Sequence, residues 1–240
     1  MALESDSGIS VIIPARDEEQ TIGLVVGDCL RVLGEMGLEH EVIVVDDGSS
    51  DGTAAAVEAL DCTLIRNDGP DHGKGIALRQ GFAAARHGTF LMLDADYSHR
   101  AEDIPLLWGE FRKGYGLVVA DRLIGGSDEY TFSRCYGNLF LTTVFSTLFG
   151  VQLNDSLNGF KIFDRTVFDS FTYTAEDFSI EIELLANTKR LGLSIGQIRS
   201  HERARQGGQA KSFAIRHGFS FLFRILHERW RKPDRTNPAS

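Results

Sequence analysis

The stretch EVIVVDDGSSDGTAAAVEAL, residues 41–60, decides the fold. After Glu41 it is β-branched through Val45, which is typical of a short buried strand. Residues 46–53 then supply acidic, serine and glycine turn residues, and residues 53–60 have a helical pattern. A buried strand that runs through such a loop into a helix is the repeating unit of α/β proteins.

The same unit recurs along the first half of the chain. Besides 41–46, apolar segments predict strands at 9–15, 63–67, 89–94 and 117–121, and helical patterns lie at 21–34, 53–60, 75–87 and 102–113. Strands alternating with helices predict a mostly parallel, Rossmann-like sheet with helices on both faces. The alternation weakens after Arg122, so the second half is predicted to be a less regular extension.

The composition and charge of the chain narrow the class of protein. With 240 residues, 42% of them hydrophobic, the chain suits one globular domain. The net charge is -9, but residues 199–240 carry ten Arg or Lys against three Asp or Glu. An acidic body argues against general nucleic-acid binding, and the basic end suits an anionic membrane surface or a phosphorylated substrate. Three cysteines without a C-x-x-C pair, and a start without signal-peptide character, favour a cytoplasmic location.

Polar clusters follow the predicted strand ends, and one of them contains Asp94 and Asp96, a D-x-D triplet that is a weak signal by itself. In parallel sheets, ligands bind at the carboxyl ends of the strands. Two carboxylates spaced by one residue offer hard oxygen ligands that suit Mg²⁺ or Mn²⁺ shared with substrate phosphates. The alternative is a surface turn with two solvated acids.

Four motifs occur together in order, and they resemble one known family. They are Pro14-Ala15-Arg16-Asp17-Glu18, the DDGSSDGT segment at 46–53, His72-Gly73-Lys74-Gly75, and Asp94-Ala95-Asp96-Tyr97-Ser98-His99. The set resembles family 2 inverting glycosyltransferases, particularly the branch of dolichol-phosphate mannose synthases and polyprenyl-phosphate glycosyltransferases. The resemblance runs from Ile9 to Lys211. Asp17 departs from the pattern, because the family usually has Asn there.

The resemblance implies a glycosyltransferase A-type fold whose first half holds a GDP- or UDP-sugar. The residues that it assigns to the nucleotide sugar are Pro14, Ala15, Arg16, Glu18, Asp46, Asp47, Lys74, Asp94 and Ala95. Asp94 and Asp96 are the implied metal ligands, for Mg²⁺ or Mn²⁺, and belong to the implied catalytic set.

The acceptor side depends on the chemistry of the attacking group. A phosphate monoester is largely anionic at neutral pH, so it needs cations to hold it and no catalytic base. By residue type the candidate cations are Arg122, Arg134, Arg203, Arg205 and Lys211. The resemblance retains Arg122, Arg134, Arg205 and Lys211 as acceptor-phosphate residues, and it makes Arg122, Arg134 and Lys211 part of the catalytic set. For a hydroxyl acceptor, Asp155 or Glu181 is the candidate base, although Glu181 also fits a packing role.

Two further segments have helical patterns that bear on membranes. Residues 213–231 place Phe219, Leu222, Phe223, Leu226 and Trp230 on one stripe and basic residues opposite. This pattern fits an interfacial helix as well as a terminal helix packed on its own domain. Phe132–Phe149 is the predicted neighbouring helix, and residues 135–154 are too polar for a membrane span. We expect residues 1–211 to form the catalytic domain and residues 212–240 to form a basic amphipathic helix and tail.

The leading hypothesis is transfer of one hexose, mannose or glucose, from a GDP- or UDP-sugar to a polyprenyl or dolichyl phosphate. The expected location is the cytoplasmic face of a membrane, through surface contact or a separate membrane subunit. The alternatives are transfer to a soluble hydroxyl or phosphate acceptor, or nucleotide-sugar binding without catalysis.

Overall fold

The computed structural model describes residues 8–206, 214–232 and Asp234. The strands in this part of the chain are β1 (Gly8–Ala15), β2 (Glu39–Asp46), β3 (Thr63–Arg66), β4 (Thr89–Met92), β5 (Leu117–Asp121), β6 (Lys161–Asp164) and β7 (Ile195–Arg199). They form one sheet in the order β3-β2-β1-β4-β6-β5-β7. All pairs are parallel except those of β6, which is antiparallel to both β4 and β5.

Helices connect the strands. In the described residues they are α1 (Ile22–Met36), α2 (Thr53–Glu58), α3 (Lys74–Ala84), α4 (Ile104–Phe111), α5 (Arg122–Gly125), α6 (Phe132–Phe149), α7 (Arg165–Asp169), α8 (Ile180–Arg190) and α9 (Ala214–Trp230). A 3₁₀ turn, Ala101–Asp103, leads into α4. Among these residues no helix is long and apolar enough to span a membrane.

The sheet separates two hydrophobic cores because successive side chains of a strand point to opposite faces. On one face, strand residues such as Val11 and Val44 pack with α1, α2 and α4. On the other face, Ile12, Val45 and Phe90 pack with α3, α6, α7, α8 and α9. The predicted α/β class with helices on both faces of a mostly parallel sheet is therefore confirmed.

Helix α9 packs on the protein through both apolar and charged side chains, and Phe221 and Leu222 contact the core on this face. Ile225 is completely buried, and Glu228 lies beneath the surface, where it pairs with Arg190, Arg224 and Arg231. Much of its apolar stripe faces outwards: Phe219 is 62% exposed and Phe223 is 70% exposed. The helix is thus attached through ion pairs and a small apolar contact, while aromatic rings remain on the outside.

One strand ends earlier in the structure than the sequence predicts. Strand β4 ends at Met92 and not at residue 94, so Asp94 and Asp96 lie in the turn that follows. Tyr97 in that turn has a φ of 62°, a backbone conformation that cannot continue a strand. The three cysteines are free thiols, with Cys29 completely buried.

Candidate active site

A cavity of about 390 Å³ opens at the carboxyl ends of β1, β2 and β4. We call it the acidic cavity. It is lined by Pro14, Ala15, Arg16, Asp17, Glu18, Asp47, Gly73, Lys74, Asp94, Ala95, Asp96, Phe178 and Arg205. The sheet therefore brings together every residue assigned to the nucleotide sugar except Asp46. Asp46 is buried beside the cavity, where its Oδ1 accepts a hydrogen bond from the Ser49 backbone N–H.

Asp94 is the end of a chain of buried charges. Lys74 Nζ donates to Asp94 Oδ1 at 2.5 Å and to Glu181 Oε1 at 2.7 Å. Burial by itself lowers the pKa of Lys74, but the two carboxylates outweigh it and raise that pKa above its usual value. For Asp94 the signs are reversed: burial by itself raises its pKa, but Lys74 and His99 outweigh burial and hold that pKa well below the usual range. Lys74 is therefore protonated and Asp94 ionised at neutral pH.

Glu181 is only 2% exposed and lies under the acidic cavity rather than on its surface. Its second oxygen, Oε2, lies 3.5 Å from Nζ of Lys161, a lysine that is itself completely buried. Two roles were considered for Glu181, a residue of the pocket and a packing acid. The structure shows the packing role, in which the buried carboxylate fixes Lys74.

Asp96 connects the turn after β4 to a distant segment. Its Oδ1 accepts hydrogen bonds from the Ser98 backbone N–H and hydroxyl, at 3.1 Å and 2.6 Å. Its Oδ2 lies 3.1 Å from Nε of Arg205. Each carboxylate of the Asp94/Asp96 pair thus has a cationic side chain from elsewhere in the sequence against it.

Asp17 joins the first two loops of the acidic cavity. Its Oδ1 accepts hydrogen bonds from the backbone N–H and the hydroxyl of Ser50, and its own N–H donates to the Ser49 hydroxyl. Its φ of 52° is the left-handed conformation, which Asn and Asp tolerate better than most residues. The departure from Asn at this position therefore keeps both the turn and the acceptor oxygen.

A second cavity, of about 200 Å³, lies next to the first. We call it the arginine cavity, because Arg122, Arg134 and Arg205 line it. Its other lining residues are Glu129, Tyr130, Ser133, Gly137, Asn138, Leu141, Leu157, Glu202, Gly218 and Phe221. The structure therefore brings together three of the four residues that were assigned to the acceptor phosphate. The fourth, Lys211, lies outside the described residues. Arg203 lines neither cavity and pairs with Glu102.

Arg122 is held in place by two acids. Its Nε and Nη2 donate to the two oxygens of Asp155, at 2.7 Å and 3.1 Å, and its Nη1 donates to Glu202. Burial raises the pKa of the completely buried Asp155, but Arg122 outweighs burial and leaves that pKa below its usual value. Asp155 and Glu181 are thus both buried and ion-paired, which is unfavourable for the base role considered for them.

The acidic cavity fits a hard divalent cation that is shared with a phosphate. In the described residues no group of three or more His, Cys, Asp or Glu side chains is arranged to hold a metal ion by itself. Mg²⁺ is often held by only one or two carboxylates, with substrate phosphates and waters completing its shell. Asp94 and Asp96 provide two such carboxylates on one cavity wall, and hard oxygen ligands also suit Mn²⁺.

Several cavity residues were not identified from the sequence. Phe178 reaches the acidic cavity from the segment before α8, and Glu129 and Glu202 balance charge in the arginine cavity. No local pattern marks them, because their position depends on distant segments. Gly73 did lie in a quoted motif, and its geometry explains it: its φ is 152°, and a Cβ there would lie 2.3 Å from the Glu176 carbonyl oxygen.

A mostly parallel α/β sheet with a cavity at its strand ends is the arrangement in which Rossmann-like folds bind their ligands. Residues 10–185 match the family model described as Glycosyl transferase family 2. The match covers well over half of the chain, and the chain belongs to this family.

Relatives and solved structures agree with this membership. Glycosyltransferase AglJ of Haloferax volcanii is 27% identical over 193 residues, which cover 80% of this chain and 61% of that protein. The undecaprenyl-phosphate 4-deoxy-4-formamido-L-arabinose transferase of Pseudomonas fluorescens is 27% identical over 227 residues, which cover 91% of this chain and 63% of that protein. The matches therefore span less than two thirds of the length of these relatives.

Among solved structures, glucosyl-3-phosphoglycerate synthase from Mycobacterium tuberculosis, in complex with Mn²⁺, UDP and phosphoglyceric acid, aligns with a TM-score of 0.74 at 26% identity. The alignment covers 95% of this chain and 80% of that chain. The same synthase with Mn²⁺, UDP-glucose and phosphoglyceric acid also aligns with a TM-score of 0.74, at 25% identity, covering 95% and 82%. The glycosyltransferase A-type fold predicted from the sequence is confirmed by these likenesses.

Proposed function

We propose that this chain is an inverting glycosyltransferase that moves one hexose, mannose or glucose, from a UDP- or GDP-sugar to a polyprenyl or dolichyl phosphate. The observation that carries the proposal is the pair of adjacent cavities, one acidic and one lined by arginines, with Arg205 in the wall of both. A nucleotide sugar occupies the acidic cavity in this proposal, and the acceptor phosphate occupies the arginine cavity.

On the donor side, the nucleoside diphosphate is the leaving group. Asp94 and Asp96 would hold a divalent cation, which would stabilise the negative charge that develops on the departing diphosphate. Lys74, kept protonated by Asp94 and Glu181, adds a positive charge on the same wall of the acidic cavity. The similar synthase was solved in complex with Mn²⁺ and UDP or UDP-glucose, which supports a metal and a uridine donor for this chain.

On the acceptor side, the phosphate supplies the nucleophile. One of its oxygens forms a bond to the anomeric carbon of the sugar, on the face opposite the diphosphate, and the bond from that carbon to the diphosphate oxygen breaks. A phosphate monoester has a second pKa of about 6, so this oxygen is negatively charged at neutral pH without a catalytic base to deprotonate it. Arg122 and Arg134, with Arg205 and Lys211, are the proposed cations that orient it.

The lipid acceptor is supported by the relative whose name contains undecaprenyl phosphate. It is also supported by the exposed aromatic side chains of α6 and α9. Phe132, Tyr136 and Phe140 are exposed on α6, and Phe219, Phe223 and Trp230 are exposed on α9. Aromatic rings of this kind insert at membrane interfaces, so we propose that α6 and α9 contact the surface of a membrane, at its cytoplasmic face.

A second candidate function is transfer to a soluble phosphorylated acceptor. It is favoured by the similar synthase, whose structure holds phosphoglyceric acid together with UDP. The same arginine cavity suits either acceptor, because both carry a phosphate. The two candidates differ in the need for an apolar surface beside that cavity.

The test is release of UDP or GDP from a panel of nucleotide sugars, with Mn²⁺ or Mg²⁺, in the presence and absence of polyprenyl phosphate in detergent. We expect lipid phosphate to stimulate release with one donor, and Asp96→Asn to lower the rate about 10³-fold, since it removes a carboxylate that would hold the cation against the leaving group. Asp61→Asn, at an exposed loop position, is the matched control and should retain the rate.

Each other outcome of that test has a meaning. Release stimulated by phosphoglyceric acid but not by lipid phosphate supports the soluble acceptor. Donor binding without any transfer points to a non-catalytic nucleotide-sugar-binding protein. Failure of every donor to bind in the presence of metal contradicts the transferase proposal as a whole.

Membrane contact is tested separately by co-sedimentation with vesicles that contain anionic lipid. Replacing both Phe132 and Phe140 by Ser should weaken binding about tenfold, because two exposed rings no longer enter the interface. Thr143→Ser together with Thr147→Ser, on the same exposed face of α6, is the control pair. If the wild-type protein does not sediment with the vesicles, the result would instead favour recruitment by a separate membrane subunit.

A further inference from the structure

Arg205 is shared by the two cavities. Its Nε lies 3.1 Å from Asp96 Oδ2, on the wall of the acidic cavity, while the residue also lines the arginine cavity. Its backbone N–H donates to Glu129 Oε1, which anchors the chain at the arginine side. The side chain is 31% exposed, so the guanidinium has solvent on part of its surface and room to turn.

The other two arginines of the arginine cavity are neutralised locally. Arg122 pairs with Asp155 and Glu202, and Arg134 pairs with Glu129 at 3.2 Å. Within the described part of the chain, Arg205 differs from them because its acidic partner lies in the other cavity. The charge that Arg205 can offer to an anion in the arginine cavity therefore depends on what else binds Asp96.

Asp96 has one oxygen that is open to such competition. Ser98 donates two hydrogen bonds to Oδ1, and both come from the same residue in the same turn. Oδ2 is the oxygen beside Arg205. If a divalent cation binds Oδ2, it repels the guanidinium at the same oxygen, since both groups are positive and only a few ångströms apart.

We propose that Arg205 is a positioning residue that couples the two cavities. A divalent cation and the Arg205 guanidinium compete for Asp96 Oδ2, and binding of the cation releases Arg205 to an anion in the arginine cavity. By thermodynamic reciprocity, an anion that holds Arg205 strengthens cation binding at Asp96. The inference rests on the proposed function only in taking the cation and the phosphate as the groups that the two cavities bind.

One consequence concerns the order of events. A phosphate acceptor meets a released Arg205 in the arginine cavity only after the cation, and the diphosphate that it accompanies, occupies the acidic cavity. The coupling therefore disfavours binding of the acceptor without the donor.

The first test measures Mn²⁺ binding to the protein alone, from the electron paramagnetic resonance signal of free Mn²⁺, without nucleotide or lipid. Arg205→Gln removes the competing charge and should tighten Mn²⁺ binding about tenfold. Arg203→Gln is the matched control, because Arg203 lies two residues away, pairs with Glu102 and lines neither cavity. Adding Asp96→Asn to Arg205→Gln should abolish the gain. Equal or weaker Mn²⁺ binding by Arg205→Gln overturns the proposal.

The second test observes Arg205 directly by NMR. Its ¹⁵Nε resonance is assigned as the one that is missing from the spectrum of Arg205→Lys. Mg²⁺ should shift this resonance, and sulfate, used as a probe for the anion, should bind several-fold more tightly when Mg²⁺ is present. Arg205→Gln should lose this enhancement. A resonance that Mg²⁺ leaves unchanged, or sulfate binding that is independent of Mg²⁺, contradicts the coupling.

These tests separate the inference from the proposed function because they use neither a nucleotide sugar nor a lipid. A failed transfer assay with the expected Mn²⁺ results counts against the proposed function alone. Normal transfer with equal Mn²⁺ affinities counts against the coupling alone.

Discussion

The acidic cavity and the arginine cavity lie side by side but are assembled in different ways. The acidic cavity is built mainly where β1, β2 and β4 end, so residues 14–18, 46–47 and 94–96 meet because parallel strands end at one edge. The arginine cavity combines the start of α5, α6, α9 and the segment after β7. A regular sheet thus sets the first cavity, and packing of separate elements sets the second.

The two cavities also differ in how their charges are balanced. In the acidic cavity, the carboxylates of Asp94 and Asp96 receive cations from other parts of the chain, Lys74 and Arg205. In the arginine cavity, Arg122 is held by Asp155, which is completely buried. We therefore expect substitutions in the acidic cavity to alter ligand binding, and substitutions beneath the arginine cavity to alter the stability of the protein.

The largest effect is expected for Asp155→Asn. This change leaves Arg122 buried without its main countercharge, and breaking such a pair costs about 3–5 kcal/mol of the free energy of unfolding. Urea denaturation measures it. The control is Glu35→Gln, which breaks an exposed ion pair with Arg31 and should cost about 0–1 kcal/mol. Similar losses in both variants would remove the contrast between a buried and a surface pair.

The pH dependence of the same pair has a definite sign. The pKa of Asp155 is lower in the folded protein than its unfolded value of about 3.9, so its contribution is fully present above that value. The contribution is lost as the pH falls through the folded pKa. The difference in unfolding free energy between wild type and Asp155→Asn should therefore be constant near pH 7 and shrink below about pH 4.

A smaller, local effect is expected for Gly159→Ala. A Cβ at this position would lie 2.8 Å from Asp94 Oδ2 and 2.8 Å from Lys74 Nζ, so the pair must move. We expect the KM for the nucleotide sugar to rise about tenfold, or about 1.4 kcal/mol, with the KM for the acceptor unchanged.

The control for this glycine is Gly27→Ala in α1, where a Cβ meets no heavy atom within 4 Å. It should leave both KM values unchanged. An unchanged donor KM in Gly159→Ala would show that the Asp94–Lys74 geometry is not critical for the donor.

The smallest effect is expected for Arg134→Gln. Arg134 is partly exposed and pairs with Glu129, so solvent screens its charge. We expect the KM for the acceptor to rise about fivefold, less at high salt, while the donor KM stays the same. Arg112→Gln, a cation over the Trp108 ring, is the control. A change in the donor KM instead would mean that the two cavities are not functionally distinct.

The sequence predicted the first half of the fold closely. Its five expected strands correspond to β1 to β5, and α6 begins and ends at the expected residues. These elements have strong local signals: apolar β-branched runs, helical periodicity and turn residues between them. Strand β6 was not predicted, because its four residues carry little pattern of their own, and its antiparallel partners β4 and β5 lie far away in sequence.

Apart from Phe178 and Arg205, the residues of the acidic cavity could be predicted for the same reason. They sit in motifs at strand ends, and the parallel sheet brings those ends together. Asp46 shows the limit of this reasoning. It lies in the same motif as Asp47 and next to it in sequence, but only Asp47 lines the cavity. The arginine cavity was identified only as a set of candidate cations, whose acidic partners were unknown.

By itself, then, the sequence determined the alternation of strands and helices in the first half of the chain and the polar loops at those strand ends, because these depend on neighbours within a few residues. The tertiary structure decided which acids neutralise Arg122 and Lys74, which face of α9 turns outwards, and that Arg205 lies between two cavities. These features depend on contacts between residues far apart in sequence, such as Lys74 and Glu181, which are 107 positions apart. Local preferences carry no information about such contacts, and only packing of the whole chain fixes them.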